Sequence, residues 1–450
     1  MNPRKTAIEI LSHVEGESDL SMSEVISRVL EASGLSAKDR GLATEISYGV
    51  ERHRLFLDYV INPYLKSGKV NTTLRRILRA GVYQILFCDR IPSHAAVNEM
   101  VSIARNEEGK SAAGFINAIL RKVSRMKLSG IELPDREKNL SKHLSVKYSF
   151  PLWIVNLFLS QYGIHDTKRL LEFLNQKGIP SLRINRLKIS KKDLIKRIKN
   201  NHPVCEIYEG DYSPDCLIVK NLSISPDDEM IKKGWVYFQD EAAQLISCFA
   251  SPSRDDRIID YCCAPGGKLS HLAALTNNNA DLVGLDVDEK RLQKTRQNCE
   301  RLGVRIQEMQ KITKGAIKKL KSYPADIVLV DAPCSGLGII RRNPDIKWKK
   351  TPATVDYLKK EQSAILKEGS ALVKPGGALI YSTCTLTRDE NERTVEEFLK
   401  TRDDFVLKKT TGSLPENAHF MITERGYFTP FPPDTGTDGM FAAILQKVND

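Results

Sequence analysis

Two cysteines stand where apolar runs of the chain give out. Cys384 closes GALIYSTC, and Cys334 follows ADIVLVDAP, a run whose last acid is Asp331. A thiolate is a strong nucleophile, and a nearby carboxylate can hydrogen-bond the group under attack or stabilise charge developing on it. A buried cysteine is by default packing. The pair becomes chemical only if the fold carries both thiols and the acid to one place.

A second group, DYCCAPGGKLSH at 260–271, has the composition of a ligand-binding turn: Cys262, Cys263, Ala264, Pro265, Gly266, Gly267 and Lys268. Paired glycines let the backbone turn tightly and approach a ligand, and the helix that follows points free N–H groups at it. Asp286, 20 residues after Gly266, ends the next apolar run, where an acid can hydrogen-bond ribose hydroxyls. GxGxxG and GxxxxGK[ST] are both absent, which disfavours NAD and ATP. A loop without a dense phosphate cradle suits a nucleoside carrying little phosphate, and S-adenosyl-L-methionine answers that description.

The elements that must position these residues read as three regions. Residues 1–126 repeat apolar side chains at three and four spacings in RKTAIEILSHV, MSEVISRVLEA, DRGLATEISYGVERHRLFLDYVI, LRRILRAGVYQILF, AAVNEMVSIAR and GFINAILRKVS, the pattern of an all-α bundle. His94 reads there as a turn or N-cap residue. Residues 127–235 are mixed: helical PLWIVNLFLSQYG and DTKRLLEFLNQ, then strand-like SLRINR, CEIYEG and DCLIVKN around a basic helix KKDLIKRIKN, a small α/β connector. From 236 to 450 strands and helices alternate, which predicts a mostly parallel, Rossmann-like sheet wrapped by helices, with ligands beyond the carboxyl ends of its strands. FAAILQK supplies a last strand. The fold class is therefore multidomain α+β.

In such a sheet Asp331, Cys334 and Cys384 share one crevice with the glycine turn. Cytosine C5 is too weak a nucleophile to take a methyl group directly, but a thiolate added at C6 makes C5 an enamine carbon that can attack a sulfonium methyl. An acid at N3 stabilises the charge that develops, and a second acid-base group is needed to remove the C5 proton and release the first thiol. Either cysteine could attack.

CCAPGGK, LDVDEKR, DAPCSGLG, RRNPDIKW, KPGG and STCT, in this order, resemble the RNA cytosine-C5 methyltransferases, and LRRILRAGVYQILF, IPSHAAVNEMVSIA and GFINAILRKV resemble the NusB-like RNA-binding module. Together they look like the bacterial 16S ribosomal RNA enzymes of the RsmB/Fmu/Sun type, with a class I methyltransferase domain. The resemblance implies S-adenosyl-L-methionine held by residues 262–268, Asp286 and Asp331, with Cys384 as the attacking thiol and Cys334 assisting release. It also implies cytosine 967 of 16S ribosomal RNA as the target of this 450-residue chain. Where the family has an acid after the third strand, this chain reads VRIQEMQKITK; Glu308 comes early, and Gln310 is the candidate partner for the adenine.

The net charge of +12 and pI near 9.1 favour a polyanionic partner. SLRINRLKISKKDLIKRIKN, with eight basic residues and one acid, is either a solvated face or a phosphate-tracking surface, and Arg341 and Arg342 read as RNA contacts beside the active-site loop. No apolar run of transmembrane length and no signal peptide are present, so a cytoplasmic monomer without membrane attachment is expected. Nine scattered cysteines without a CxxC pair predict free thiols and no metal. Two rivals stand beside the leading reading: the same chemistry on transfer RNA or another ribosomal position, and a non-catalytic RNA-binding assembly factor. Relics tend to lose their nucleophile, whereas this chain keeps both thiols.

Overall fold

A computed structural model describes residues 2–16, 20–65, 70–222 and 228–449. The chain divides into two compact units, Met1–Gln176 with Ile340–Thr351, and Lys177–Ile339 with Pro352–Asp450.

The first unit is helical. Helices Pro3–Gly16, Met22–Ala32, Ala37–Ile61, Thr72–Phe87 and Ser93–Val123 are followed by Leu140–Tyr148 and Leu152–Leu174. Their starts are encoded locally: Ser21 and Glu24 form a capping box, and the side chains of Ser36 and Asn71 accept from backbone N–H groups of the first turn. Buried Ile46, Val50, Leu57 and Ile61 recur along one helix face and meet Ala7, Leu11, Ile77, Leu78 and Leu120 in a single core. AAVNEMVSIAR and GFINAILRKVS lie in one helix span broken at Gly109, and the two halves of 152–174 likewise meet at Gly163. His94 is no cap: Pro92 holds that position, and His94 is exposed in the first turn.

Residues 340–351 belong to this unit although they come from far along the sequence. Lys347 is wholly buried there; its Nζ donates to Arg52 O (2.6 Å), Ser149 O (2.9 Å) and Asn175 Oδ1 (3.2 Å) and sits 4.3 Å from the centre of the Phe150 ring. Burial pulls its ammonium well below the ordinary lysine range. Trp348 Nε1 donates to Glu51 O (2.8 Å), and Lys349 Nζ to Leu20 O (2.7 Å).

The second unit opens with four antiparallel strands, β1 (Ser181–Ile184), β2 (Glu206–Glu209), β3 (Cys216–Lys220) and β4 (Val236–Phe238), in the order β2-β3-β1-β4. β4 lies within the region that the sequence assigns to the methyltransferase domain, yet it is an edge of this small sheet. Helix Lys191–Asn201 packs Leu194 and Ile198 onto it, and the exposed Lys192, Lys196 and Lys199 line the helix's outer side.

A seven-stranded sheet follows: β5 (Arg257–Asp260), β6 (Asp281–Asp286), β7 (Glu308–Lys311), β8 (Ala325–Asp331), β9 (Val373–Thr383), β10 (Phe405–Leu407) and β11 (Phe441–Lys447), in the order β10-β11-β9-β8-β5-β6-β7. β9, β8, β5, β6 and β7 are parallel, while at the other end of the order β11 pairs antiparallel with β9 and β10 antiparallel with β11. Helices separate every parallel pair in sequence, and near-continuous apolar strands such as 327–330 are buried on both faces. The strand order reverses between β5 and β8, so their carboxyl ends open a crevice.

Candidate active site

That crevice is a cavity of about 260 Å3, lined by Cys262, Ala264 and Asp286 on one side and Asp331, Cys334 and Cys384 on the other. Cys262 and Cys263 alternate across β5's end: Cys262 faces the cavity, and Cys263 is buried between Leu269 and Gly284. Pro265, Gly266, Gly267 and Lys268 do not line it but shape its wall. Gly266 caps helix Gly267–Leu275 at φ +97°, a conformation that side chains rarely adopt. Arg183 of β1, fully buried, donates to Gly267 O, to Gln239 Oε1 (2.5 Å) and to Ser270 Oγ (2.7 Å), fixing that turn from below.

Asp286 is 2% exposed, and its carboxylate accepts from the N–H groups of Ala264 (3.3 Å) and Asp288 (3.1 Å). Arg291 stands 3.5 Å from it and also donates to Ala264 O. Val287, exposed, and Ile312 offer apolar surface beside this acid. Gln310 does not reach the lining, where Ile312 stands instead, and its Nε2 is buried without a hydrogen-bond partner. Glu308 is ion-paired to Lys319 (2.7 Å). An acid at one end, apolar side chains beside it and a second acid across the cavity fit the ribose, purine and amino-acid parts of S-adenosyl-L-methionine.

At the other end the thiols meet. Cys334 Sγ and Cys384 Sγ are 3.2 Å apart, and the backbone N–H of Cys384 donates to Cys334 Sγ (3.3 Å). All nine cysteines are free. The hydrogen bond to Cys384, then burial, raises the Cys334 thiol well above the ordinary range. Asp331 accepts from Lys268 Nζ (2.6 Å) and from Ser382 Oγ (2.8 Å). Burial opposes the Lys268 charge, but Asp331 outweighs it and Cys384 adds to it, so Lys268 is held cationic beside the thiols. The close approach of DAPCSGLG to STC requires glycine: a Cβ on Gly338 would fall 1.9 Å from Gly439 O and 2.9 Å from Cys384 O.

Sequence reasoning missed several residues. Asp260, fully buried with Oδ1 unpartnered, is pushed up to about 8 by burial and then by Asp331. Tyr261 Oη donates to Glu368 (2.5 Å), and both line the cavity with Glu361. Only Asp260 carries a sequence signal, its place at a strand end. Arg341 is corrected: it is buried, with its guanidinium 4.5 Å from the centre of the Phe173 ring in the first unit, and is not presented to a phosphate; Arg342 is half-buried. The reason is the packing of 340–351 into the helical core. Among the described residues no cluster could hold a metal ion, and no helix is long and apolar enough to cross a membrane.

Three family descriptions match: the 16S rRNA methyltransferase RsmB/F over residues 248–446, the NusB family over 1–125, and the RsmF/B-like ferredoxin-like domain over 150–223. The chain is 34% identical to the probable ribosomal RNA small subunit methyltransferase B of Synechocystis sp. over 99% of its length and 100% of the relative's. It is 31% identical to the corresponding Bacillus subtilis protein, over 99% and 98%. The solved structure of PH0851 shares the fold at TM-score 0.82 and 24% identity, covering 99% of each chain. On its site, its three regions and these full-length likenesses, the chain belongs to the ribosomal RNA small subunit methyltransferase B family, enzymes that draw their methyl group from S-adenosyl-L-methionine.

Proposed function

We propose that the protein methylates C5 of a cytosine in 16S ribosomal RNA, with cytosine 967 as the target, through a covalent adduct between Cys384 and C6. The observation that carries this is the 3.2 Å approach of two free thiols at one end of a nucleoside-sized cavity. A single thiol would serve for an attack; two in contact suit addition followed by elimination.

The cofactor supplies an electrophilic methyl group on a sulfonium. Asp286 would hold its ribose, Val287 and Ile312 its purine, and the turn 262–268 its near side. Cys384, beside Lys268, adds to C6 as a thiolate. Asp331, already fixed by Lys268 and Ser382, offers an oxygen to the base. Cys334 would assist the release, in which C5 loses its proton and Cys384 departs. The base must leave its stack to enter such a cavity, as chemistry on a base requires. We infer that the work is done in the cytoplasm, where ribosomal RNA is modified, by a monomer.

Incubating the protein with labelled S-adenosyl-L-methionine and unmodified 16S ribosomal RNA, then mapping 5-methylcytosine, tests the reaction and the target together. Cys384→Ala should abolish transfer and keep cofactor binding, whereas Cys334→Ala should accumulate a denaturant-resistant RNA–protein adduct. Adduct with Cys384→Ala instead would reverse the two roles, and unchanged activity in both variants would end the two-thiol reading.

A further inference from the structure

Glu390 is wholly buried, and everything its carboxylate accepts comes from the surroundings of the two thiols or from its own turn. Oε1 accepts from the Ser335 backbone N–H (2.8 Å) and Gln362 Nε2 (3.0 Å), and Oε2 from Ser335 Oγ (2.5 Å) and Thr387 Oγ1 (2.7 Å). Gln362 Nε2 also donates to Pro333 O (2.9 Å), so both neighbours of Cys334 are tied to one carboxylate. The next residue does the same for the other thiol. Asn391 Oδ1 accepts from Thr383 Oγ1 (2.6 Å), and its Nδ2 donates to Thr385 O (3.0 Å), the two residues flanking Cys384. Ser335 Oγ and Thr385 Oγ1, 2.7 Å apart, join the two loops directly.

We propose that Glu390, seconded by Asn391, is a positioning residue that sets the separation and orientation of Cys334 and Cys384. It touches neither sulfur. A buried carboxylate is costly unless its oxygens are saturated with donors, and an apolar side chain would fill the space at less expense. Four of its five donors, the Ser335 N–H and Oγ, Thr385 Oγ1 (3.4 Å) and Thr387 Oγ1, belong to the loops that carry the two thiols, and the fifth, Gln362, holds Pro333 as well, which is how a supporting shell holds reacting groups. The proposal rests on the two-thiol reading of the site.

The test uses the full-length protein and phenylarsine oxide, which condenses with two thiols in reach of each other, forming two As–S bonds and releasing one water. In the wild type a bridge that disappears in Cys384→Ser reports the Cys334–Cys384 pair. Glu390→Ala should slow this bridging at least about tenfold and methyl transfer by up to about 10²-fold, the scale of a misplacement near 1 Å, while cofactor affinity stays within about twofold. Glu390→Gln should keep both rates within about threefold, because its amide can meet the same N–H groups and hydroxyls. Wild-type bridging in Glu390→Ala would overturn the proposal, and so would a Glu390→Gln as impaired as Glu390→Ala, since charge and not position would then matter. If Glu390→Ala fails to fold, Ser335→Ala, which removes one tie and leaves the carboxylate, must slow bridging for the proposal to stand. Methylation at a site other than cytosine C5, with bridging still dependent on Glu390, would overturn the substrate reading and sustain the positioning role.

Discussion

Lys268 shows how much of the site depends on single charges. Its ammonium bonds Asp331, which holds it cationic against burial, with Cys384 adding to that effect. Lys268→Met should therefore slow methyl transfer by about 10- to 10²-fold, because Asp331 loses the donor that fixes it beside the base. Unchanged turnover would show that Ser382 alone suffices to hold Asp331. The glycine turn, Asp286, Asp331 and both thiols were legible in the sequence because each sits at the end of an apolar run, where strand-end geometry fixes its direction. Lys268 read only as part of the turn, and Glu390 was invisible: their roles come from partners 63 and 55 residues away, which no local pattern encodes.

At the scale of elements, alternation of apolar strands with amphipathic helices gave the parallel sheet and the bundle. It did not give β10, three residues whose pairing to β11 is long-range, nor the joining of two helices across Gly109. Helix Ala37–Ile61 carries a further consequence. Glu51 is 1% exposed, with both carboxylate oxygens outside any hydrogen bond and Arg54 3.7 Å away; burial pushes its carboxyl up from 4.5 to about 7. The folded value exceeds the unfolded one, so the native state loses stability as pH rises from 4.5 to about 7, and the loss is complete above that. Glu51→Gln should raise Tm by about 2–4 °C at pH 8 and leave it unchanged near pH 4.5. An equal shift at both pH values would mean that Glu51 is charged throughout.

For the whole molecule, the first unit is not a contiguous stretch of sequence. Composition and periodicity suggested a self-contained helical front, and RRNPDIKW read as a loop beside the active site. Lys347 of that run and the Lys349 just after it instead donate to Arg52 O in mid-helix and to Ser149 O and Leu20 O of the bundle, a role that a pattern of Arg and Lys cannot distinguish from RNA contact. A fragment ending at Gln176 should thus be less stable by about 2 kcal/mol or more, since buried acceptors lose their donors, and a peptide of residues 340–351 should restore part of its Tm when added in trans. No response to the peptide would show that the segment is a passenger.

The same arrangement has a temporal side. On the ribosome, the chain that completes the helical unit emerges ~175 residues after Gln176, about 10–35 s later at ordinary elongation rates. Through that interval Arg52 O, Ser149 O and Glu51 O have no Lys347 or Trp348 to receive. The nascent helices wait as an incomplete nucleus while β1 to β8 of the second unit are being made, and that unit in turn is completed only by β9, β10 and β11, whose residues all follow Thr351.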